Sequence, residues 1–231
     1  MFFPYLGSFF LKTWQNPLHD YTLTMALYDS FADTFSQSRR DHPWPEIDEI
    51  IDDLTRWGST SILDVGCGNG RFIEECEKRE YHPHTYLGTD NSSGMIEAAQ
   101  INHPHMSFRV LPMQVLDTLP WRYGAIIFLA SFHHLETREE RLSVLWSLRG
   151  LLAPWWGIYM TNWNLLDQPR YASSHQWGWD FSIKIGTHSR YYHGFALGEL
   201  AELFALAGYE IIRHEIFPGG RNIFSHIRAI A

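Results

Sequence analysis

The run Ile62-Leu63-Asp64-Val65-Gly66-Cys67-Gly68-Asn69-Gly70 is where this chain can begin to do chemistry. Apolar residues lead into an acid, and glycines follow at alternate positions. A buried parallel strand ending in a tight turn has this pattern. Gly66 and Gly68 permit backbone conformations, and a closeness of ligand approach, that a Cβ would block. A helix starting near Asn69 turns its free N–H groups toward whatever lies over the turn. Such an arrangement suits a nucleotide-like cofactor. A second acid, Asp90, closes the run Tyr86-Leu87-Gly88-Thr89-Asp90. An ionised carboxylate there accepts from both hydroxyls of a ribose. The bland alternative is that both acids are loop caps beside a structural turn.

The elements that must position these residues alternate along the chain. Strands are expected at Ser61–Val65, Thr85–Thr89, Met106–Leu111, Ala125–Ala130 and Gly157–Thr161. Helices are expected at Ile47–Trp57, Arg71–Arg79, Met95–Ile101, Thr137–Leu152 and Phe195–Ala207, with an earlier one over Tyr21–Phe35. Ala125–Ala130 is almost continuously apolar, as a strand covered on both faces must be. Two alternating runs, Tyr209–Phe217 and Asn222–Ile230, flank Pro218-Gly219-Gly220-Arg221 and read as a hairpin. The expected fold is α/β: a seven-stranded, mostly parallel sheet with helices on both faces and a C-terminal antiparallel strand. Residues 1–57 are expected to form an N-terminal helical arm and substrate-side cap. Residues 58–231 form the cofactor-binding domain, with 162–193 inserted as a lid.

Composition narrows the function. A net charge of −8 over 231 residues argues against an evenly basic nucleic-acid binder, though not against a local basic patch. Aromatic residues reach 16%, with Trp 10, enough to line a pocket or stack on a planar substrate. The two cysteines, Cys67 in the turn and Cys76 on the following helix, do not make a disulfide framework, so a reducing cytoplasm is expected. The apolar start, Met1 to Leu11, lacks a basic n-region and is too short to span a bilayer, so no membrane association is expected. The histidines flank prolines in turns without a cysteine cluster, so no structural metal is expected.

The cofactor class follows from the glycine spacing. A dinucleotide fingerprint needs a glycine where this chain has Arg71. What is present, D-x-G-x-G-x-G from Asp64 to Gly70, resembles motif I of the class I S-adenosylmethionine methyltransferases. That resemblance implies S-adenosyl-L-methionine as cofactor, with S-adenosyl-L-homocysteine as product. It implies a site built from Asp64, Gly66, Cys67, Gly68, Gly70, Asp90, Asn91, Met95, Met113, Gln114 and Ala130. Gln114 stands where that class often has an acid for the adenine amino group, and its side-chain oxygen can substitute. A second stretch, Tyr28-Asp29-Ser30-Phe31-Ala32-Asp33-Thr34-Phe35-Ser36-Gln37-Ser38-Arg39 followed by Pro43-Trp44-Pro45, resembles the N-terminal signature of the tRNA carboxymethyluridine methyltransferases. Ser131-Phe132-His133-His134-Leu135 and Gly220-Arg221-Asn222-Ile223-Phe224 resemble later motifs of the same family. This resemblance implies methylation of the carboxylate of 5-carboxymethyluridine in tRNA. Eukaryotic members of the family need a small partner protein, and this chain's own need for one is not legible.

Methyl transfer from a sulfonium is an in-line displacement, so positioning carries most of the catalysis. A carboxylate acceptor is already ionised at neutral pH and needs a cationic clamp more than a base. Arg39 suits the clamp, because a guanidinium grips carboxylate bidentately; an ion pair with Asp33 or Asp41 is its alternative. A phenol, amine or hydroxyl acceptor would need a base, and His133, just past the fourth strand, is the candidate. Tyr28, Trp44, His134, Asn162, Trp163 and Asn222 complete the expected acceptor side. The insertion interleaves Arg170, Tyr171, Trp177, Trp179, Lys184, Arg190, Tyr191 and Tyr192, either as a base-stacking surface or as a lid folding on its own aromatics. A small-molecule methyltransferase and a non-catalytic methyltransferase-like binding subunit remain open as alternatives.

Overall fold

A computed structural model describes residues 44–58, 61–185 and 188–230. The expected helix Tyr21–Phe35, the apolar start, Tyr28 and Arg39 lie outside the described residues. Helix α1 (Pro45–Trp57) begins with proline, whose fixed φ suits the first turn, and ends at Gly58 with φ +69°. Its residues Ile47, Ile50, Ile51 and Leu54 recur at helical spacing and are buried. They pack against Ile62, Phe72, Ala125, Ile127 and Tyr159. Helix α1 is therefore one of the layers on the sheet.

The chain continues as β1 (Ser61–Val65), α2 (Arg71–Lys78), β2 (Thr85–Asp90), α3 (Ser93–Asn102), β3 (Ser107–Val110), β4 (Tyr123–Leu129), α4 (Arg138–Leu151) and β5 (Leu152–Trp163). A hairpin, β6 (Asp180–Ile185) and β7 (His188–His193), precedes α5 (Leu197–Leu206), β8 (Tyr209–Ile216) and β9 (Asn222–Ala229). The large sheet has seven strands in the order β3-β2-β1-β4-β5-β9-β8. Strands β1 to β5 pair in parallel, and β9 is antiparallel to both β5 and β8. Strand β9 is thus slotted inside the sheet, although it comes last in the chain.

The far face carries α4 and α5, whose Val144, Leu145, Leu148, Leu200, Leu203 and Phe204 close over Leu63, Ile126, Phe128, Ile158 and Met160. Helix α4 starts with a reciprocal capping box: Thr137 Oγ1 accepts from the Glu140 N–H, and the Glu140 carboxylate accepts from the Thr137 N–H.

Two features depart from the sequence expectation. Strand β5 starts at Leu152, five residues before Gly157. Its pairing with β4 slips between Tyr123 and Ala125, and the slack holds Pro154 and Trp155, whose φ is +73°. A proline donates nothing to a ladder, so an irregular stretch is where a strand tolerates it. The insertion after Trp163 contains the antiparallel hairpin β6–β7, which has its own small core of Leu165, Phe181, Ile183 and Tyr192 against Trp163 and Tyr171.

Candidate functional site

The glycine turn is stitched to β2 by its backbone. The N–H groups of Gly66 and Cys67 both donate to the Thr89 carbonyl, at 2.7 and 2.9 Å. Gly66 has φ +70°, and a Cβ there would stand 2.4 Å from Ser131 Cβ. Ser131 in turn donates from Oγ to the Val65 carbonyl at 2.6 Å, tying the end of β4 to the turn. Gly70, at φ +91°, is closed by the ring of His103, 2.6 Å from where its Cβ would be. Gly68 differs. It has φ +56°, and a Cβ would meet nothing within 4 Å, so the turn is open on that side.

Asp90 ends β2 facing this opening. Its Oδ2 accepts from the Gly68 N–H at 3.0 Å and its Oδ1 from the Ser92 N–H at 2.9 Å. Burial raises its pKa, and the backbone N–H groups of Ser92, Gly68 and Asn91 pull it back. These three donors do not take all the lone pairs of the carboxylate, which can still accept from a ribose hydroxyl. Asn91 is half-buried beside it, and Met113 and Gln114 are half-buried on the short turn after β3. Met95 is buried, its N–H capped by Ser92 Oγ at 3.2 Å, and so braces α3 from inside.

Asp64 lies under the turn, wholly buried. Its Oδ2 accepts from Tyr86 Oη at 2.8 Å, and Oδ1 has no partner. Burial lifts its pKa to about 7, with the Tyr86 bond opposing and the charge of Asp90 adding. Its position makes it a support of the glycine turn from beneath. Cys67 is buried, and its thiol pKa is pushed well up for the same reason, which makes it unreactive.

At the carboxyl ends of β4 and β5, Ala130 holds φ +52°, which a residue with a Cβ adopts only when constrained. Two bonds at 3.0 Å constrain it, from its N–H to the carbonyl and to Oγ1 of Thr161. His133 is fully buried, and its Nδ1 accepts from the Trp163 N–H at 3.3 Å, which puts the neutral ring's proton on Nε2. His134 donates from Nδ1 to the Tyr191 carbonyl at 3.0 Å. Trp163 is stacked between Tyr192 and Tyr171, with centroids at 5.0 and 5.9 Å. Tyr171 and Tyr192 of the insertion thus pack on this edge. Asn162 is buried with neither amide atom partnered. Asn222 donates from Nδ2 to Glu46 Oε1 at 2.6 Å. Trp44 is buried, with the guanidinium of Arg71 on its ring at 4.7 Å and that of Arg221 at 5.3 Å.

The predicted cofactor residues Asp64, Gly66, Cys67, Gly68, Gly70, Asp90 and Asn91 gather around one turn. Trp44 and Asn222 meet on the α1 side, and His133, His134 and Trp163 join the insertion. Sequence reasoning missed Tyr86, Ser131, Glu46 and the pair Arg71 and Arg221. Ser131 and Arg221 stood inside the quoted motifs without a role, and Tyr86 reaches Asp64 through the register of β1 with β2, Ile62 opposite Tyr86.

Residues 62–154 match a family described as a methyltransferase domain. The chain is 32% identical over 120 residues to the tRNA (carboxymethyluridine(34)-5-O)-methyltransferase of Saccharomyces cerevisiae, covering 52% of this chain and 40% of that protein. It is 27% identical over 220 residues to the Schizosaccharomyces pombe protein of the same name, covering 81% of this chain and 89% of that one. An S-adenosylmethionine-dependent methyltransferase from Clostridium acetobutylicum superposes with a TM-score of 0.69 at 10% identity, over 89% of this chain and 100% of that one. The fold is that of the methyltransferase it superposes on, and the glycine turn lies inside the stretch that matches the methyltransferase-domain family. The residues present suit the cofactor: the open side of Gly68 admits a ligand to van der Waals distance of the backbone, and Asp90 has acceptor capacity directed there. Among the described residues, no group of three or more His, Cys, Asp or Glu could hold a metal ion, and no helix is long and apolar enough to cross a membrane.

Proposed function

We propose that this chain methylates a carboxylate, that of 5-carboxymethyluridine in tRNA. The observation that carries the reading is the state of His133. Its Nδ1 lone pair is engaged by the Trp163 N–H, so the ring offers a hydrogen-bond donor at Nε2 rather than a base. An acceptor that arrives ionised needs no base. The similarity to the two yeast proteins, one of them along most of its length, supports the same acceptor.

When bound, S-adenosylmethionine supplies an electrophilic methyl group on a sulfonium. Asp90 holds the ribose hydroxyls, Gly68 lets the cofactor approach the backbone while Gly66 packs on Ser131, and Met113 and Gln114 flank the adenine. Asn91 and Ala130 shape the wall, with Asp64, Cys67, Gly70 and Met95 beneath. His133 orients the acceptor, and Asn162, Trp163, His134 and Asn222 line its approach. Arg39 and Tyr28, in the segment before Trp44, are assigned to the acceptor side by the family resemblance. No proton leaves in the reaction: a carboxylate oxygen takes the methyl, and the C–S electron pair stays on sulfur.

Nucleoside mass spectrometry tests this on tRNA carrying 5-carboxymethyluridine, incubated with protein and S-adenosylmethionine. Appearance of the methyl ester is the expected result. Absence of product from a preparation that binds the cofactor refutes the acceptor. A small-molecule acceptor would then stand first, favoured by the way Tyr171 and Tyr192 already occupy both faces of Trp163.

A further inference from the structure

Arg71 and Arg221 are far apart in sequence and come together on one indole. Arg71 opens α2 directly after the glycine turn. Arg221 stands just before β9, its carbonyl held by the Asn164 N–H at 2.9 Å and Gln168 Nε2 at 3.0 Å. Both guanidiniums lie against Trp44, at 4.7 and 5.3 Å. Two like charges so placed repel, and among the described residues Arg221 has no carboxylate within ion-pair distance. Other exposed or half-buried arginines, Arg56, Arg79, Arg138, Arg213 and Arg228, each hold one. Glu46, the carboxylate packed alongside, is committed to Asn222. A second, independent observation points the same way. Trp44 is 6% exposed, and its indole N–H, a group that can only donate, has no acceptor among the described residues. Trp44 packs in one cluster with Ala130 and Trp163, at the carboxyl ends of β4 and β5, where a methyl acceptor must approach.

We infer that Arg71, Arg221 and the Trp44 indole N–H form an oxyanion subsite on the acceptor side, which takes the acceptor's carboxylate. The inference rests on the carboxylate reading above and gives Trp44, Arg71 and Arg221 one joint role. Trp44 braces both cations by cation–π contact, so they are held in place before the anion arrives. The ligand class is an RNA oxyanion, either the base's carboxylate or a backbone phosphate near it.

The test is equilibrium binding of two anticodon stem-loop RNAs, one with 5-carboxymethyluridine and one with uridine at the wobble position, to the S-adenosylhomocysteine-bound chain and its Arg221→Gln and Arg221→Lys variants. Arg221→Gln should weaken the carboxymethyl stem-loop about tenfold or more, the scale of one charge-assisted contact, and spare the uridine stem-loop. Arg221→Lys should restore part of the loss. Cofactor affinity, measured by calorimetry, should not change, because the Arg221 guanidinium lies on the Trp44 ring, whereas Asp90 and the open side of Gly68 stand at the glycine turn. An equal loss on both RNAs supports the subsite with a phosphate as its anion. Unchanged binding of both RNAs overturns it. The two ideas fail separately. Methyl ester formed by an Arg221→Gln protein with unaltered KM sinks the subsite alone. No methyl ester from the wild type, with stem-loop binding still weakened by Arg221→Gln, sinks the acceptor alone.

Discussion

Replacing Asp64 by asparagine should make the protein more stable at alkaline pH and change how stability responds to pH. The carboxyl is fully buried, with one oxygen on Tyr86 and the other unpartnered. Burial first, then the charge of Asp90, outweigh the Tyr86 bond and hold its pKa at about 7 against an ordinary value of 3.8. A carboxyl whose folded pKa is raised keeps its proton after the unfolded chain has lost its own. The cost of the site is therefore absent below pH 4, grows as pH rises, and is complete above pH 7. At about 1.4 kcal/mol per decade, that cost is about 1.6 kcal/mol at pH 5 and about 4 kcal/mol at pH 8. An asparagine keeps an oxygen for Tyr86 and places its amide where Oδ1 has no partner, at a pH-independent cost of about 1–3 kcal/mol. The difference in unfolding free energy between the Asp64→Asn variant and wild type should shift by about 2.5 kcal/mol in favour of the variant from pH 5 to pH 8. Urea denaturation of both proteins at a series of pH values measures it, and the subtraction removes every other titrating group. A difference that stays flat with pH would refute the reasoning, because Asp64 would then ionise at its ordinary value.

Four further outcomes follow from the geometry. Gly68→Ala meets open space but a left-handed φ of +56°, so it should fold with a loss of about 1–2 kcal/mol and lose cofactor affinity disproportionately, read by calorimetry beside thermal melting. Gly66→Ala should destabilise more, because its Cβ collides with Ser131 at 2.4 Å; equal melting temperatures for the two variants would contradict this. His133→Asn should cost no more than about tenfold in kcat if the acceptor is a carboxylate, whereas a loss of about 100-fold or more would mark a general base. His193→Gln should loosen the β6–β7 hairpin, since the His193 ring bridges Asp180 at 3.0 Å and Glu199 at 2.9 Å; faster limited proteolysis within β6–β7 is the expected reading.

Most of the sheet was legible because its signals are local. The buried run of β4 and the Gly66–Gly70 turn each need only neighbours in sequence to be read. The early start of β5 was not, since Pro154 argues against a strand and only the slipped register with β4 makes room for it. The hairpin in the insertion had a signal that went unread, the alternation Phe181-Ser182-Ile183-Lys184, whose apolar positions face Tyr192 and Leu165. That Gly66, Gly68 and Asp90 gather at one turn was readable from spacing. The acceptor side was not, because Glu46 with Asn222, and Arg71 with Arg221, meet only through tertiary packing across more than half of the chain.

The placement of β9 has a consequence for how the molecule comes to exist. During synthesis, β1 to β5 and their helices emerge first and can assemble the glycine turn. Strand β8 follows, but among the described residues its only partner in the sheet is β9. Until residues 222–229 leave the ribosome, β5 presents an open edge with Met160 and Ile158 along it, a template for pairing with another chain. Arg221 and Asn222 arrive with that last strand. A nascent chain therefore holds the glycine turn before Arg221 and Asn222 arrive, and a chain stopped short of β9 leaves the β5 edge unpaired and is a hazard to its neighbours.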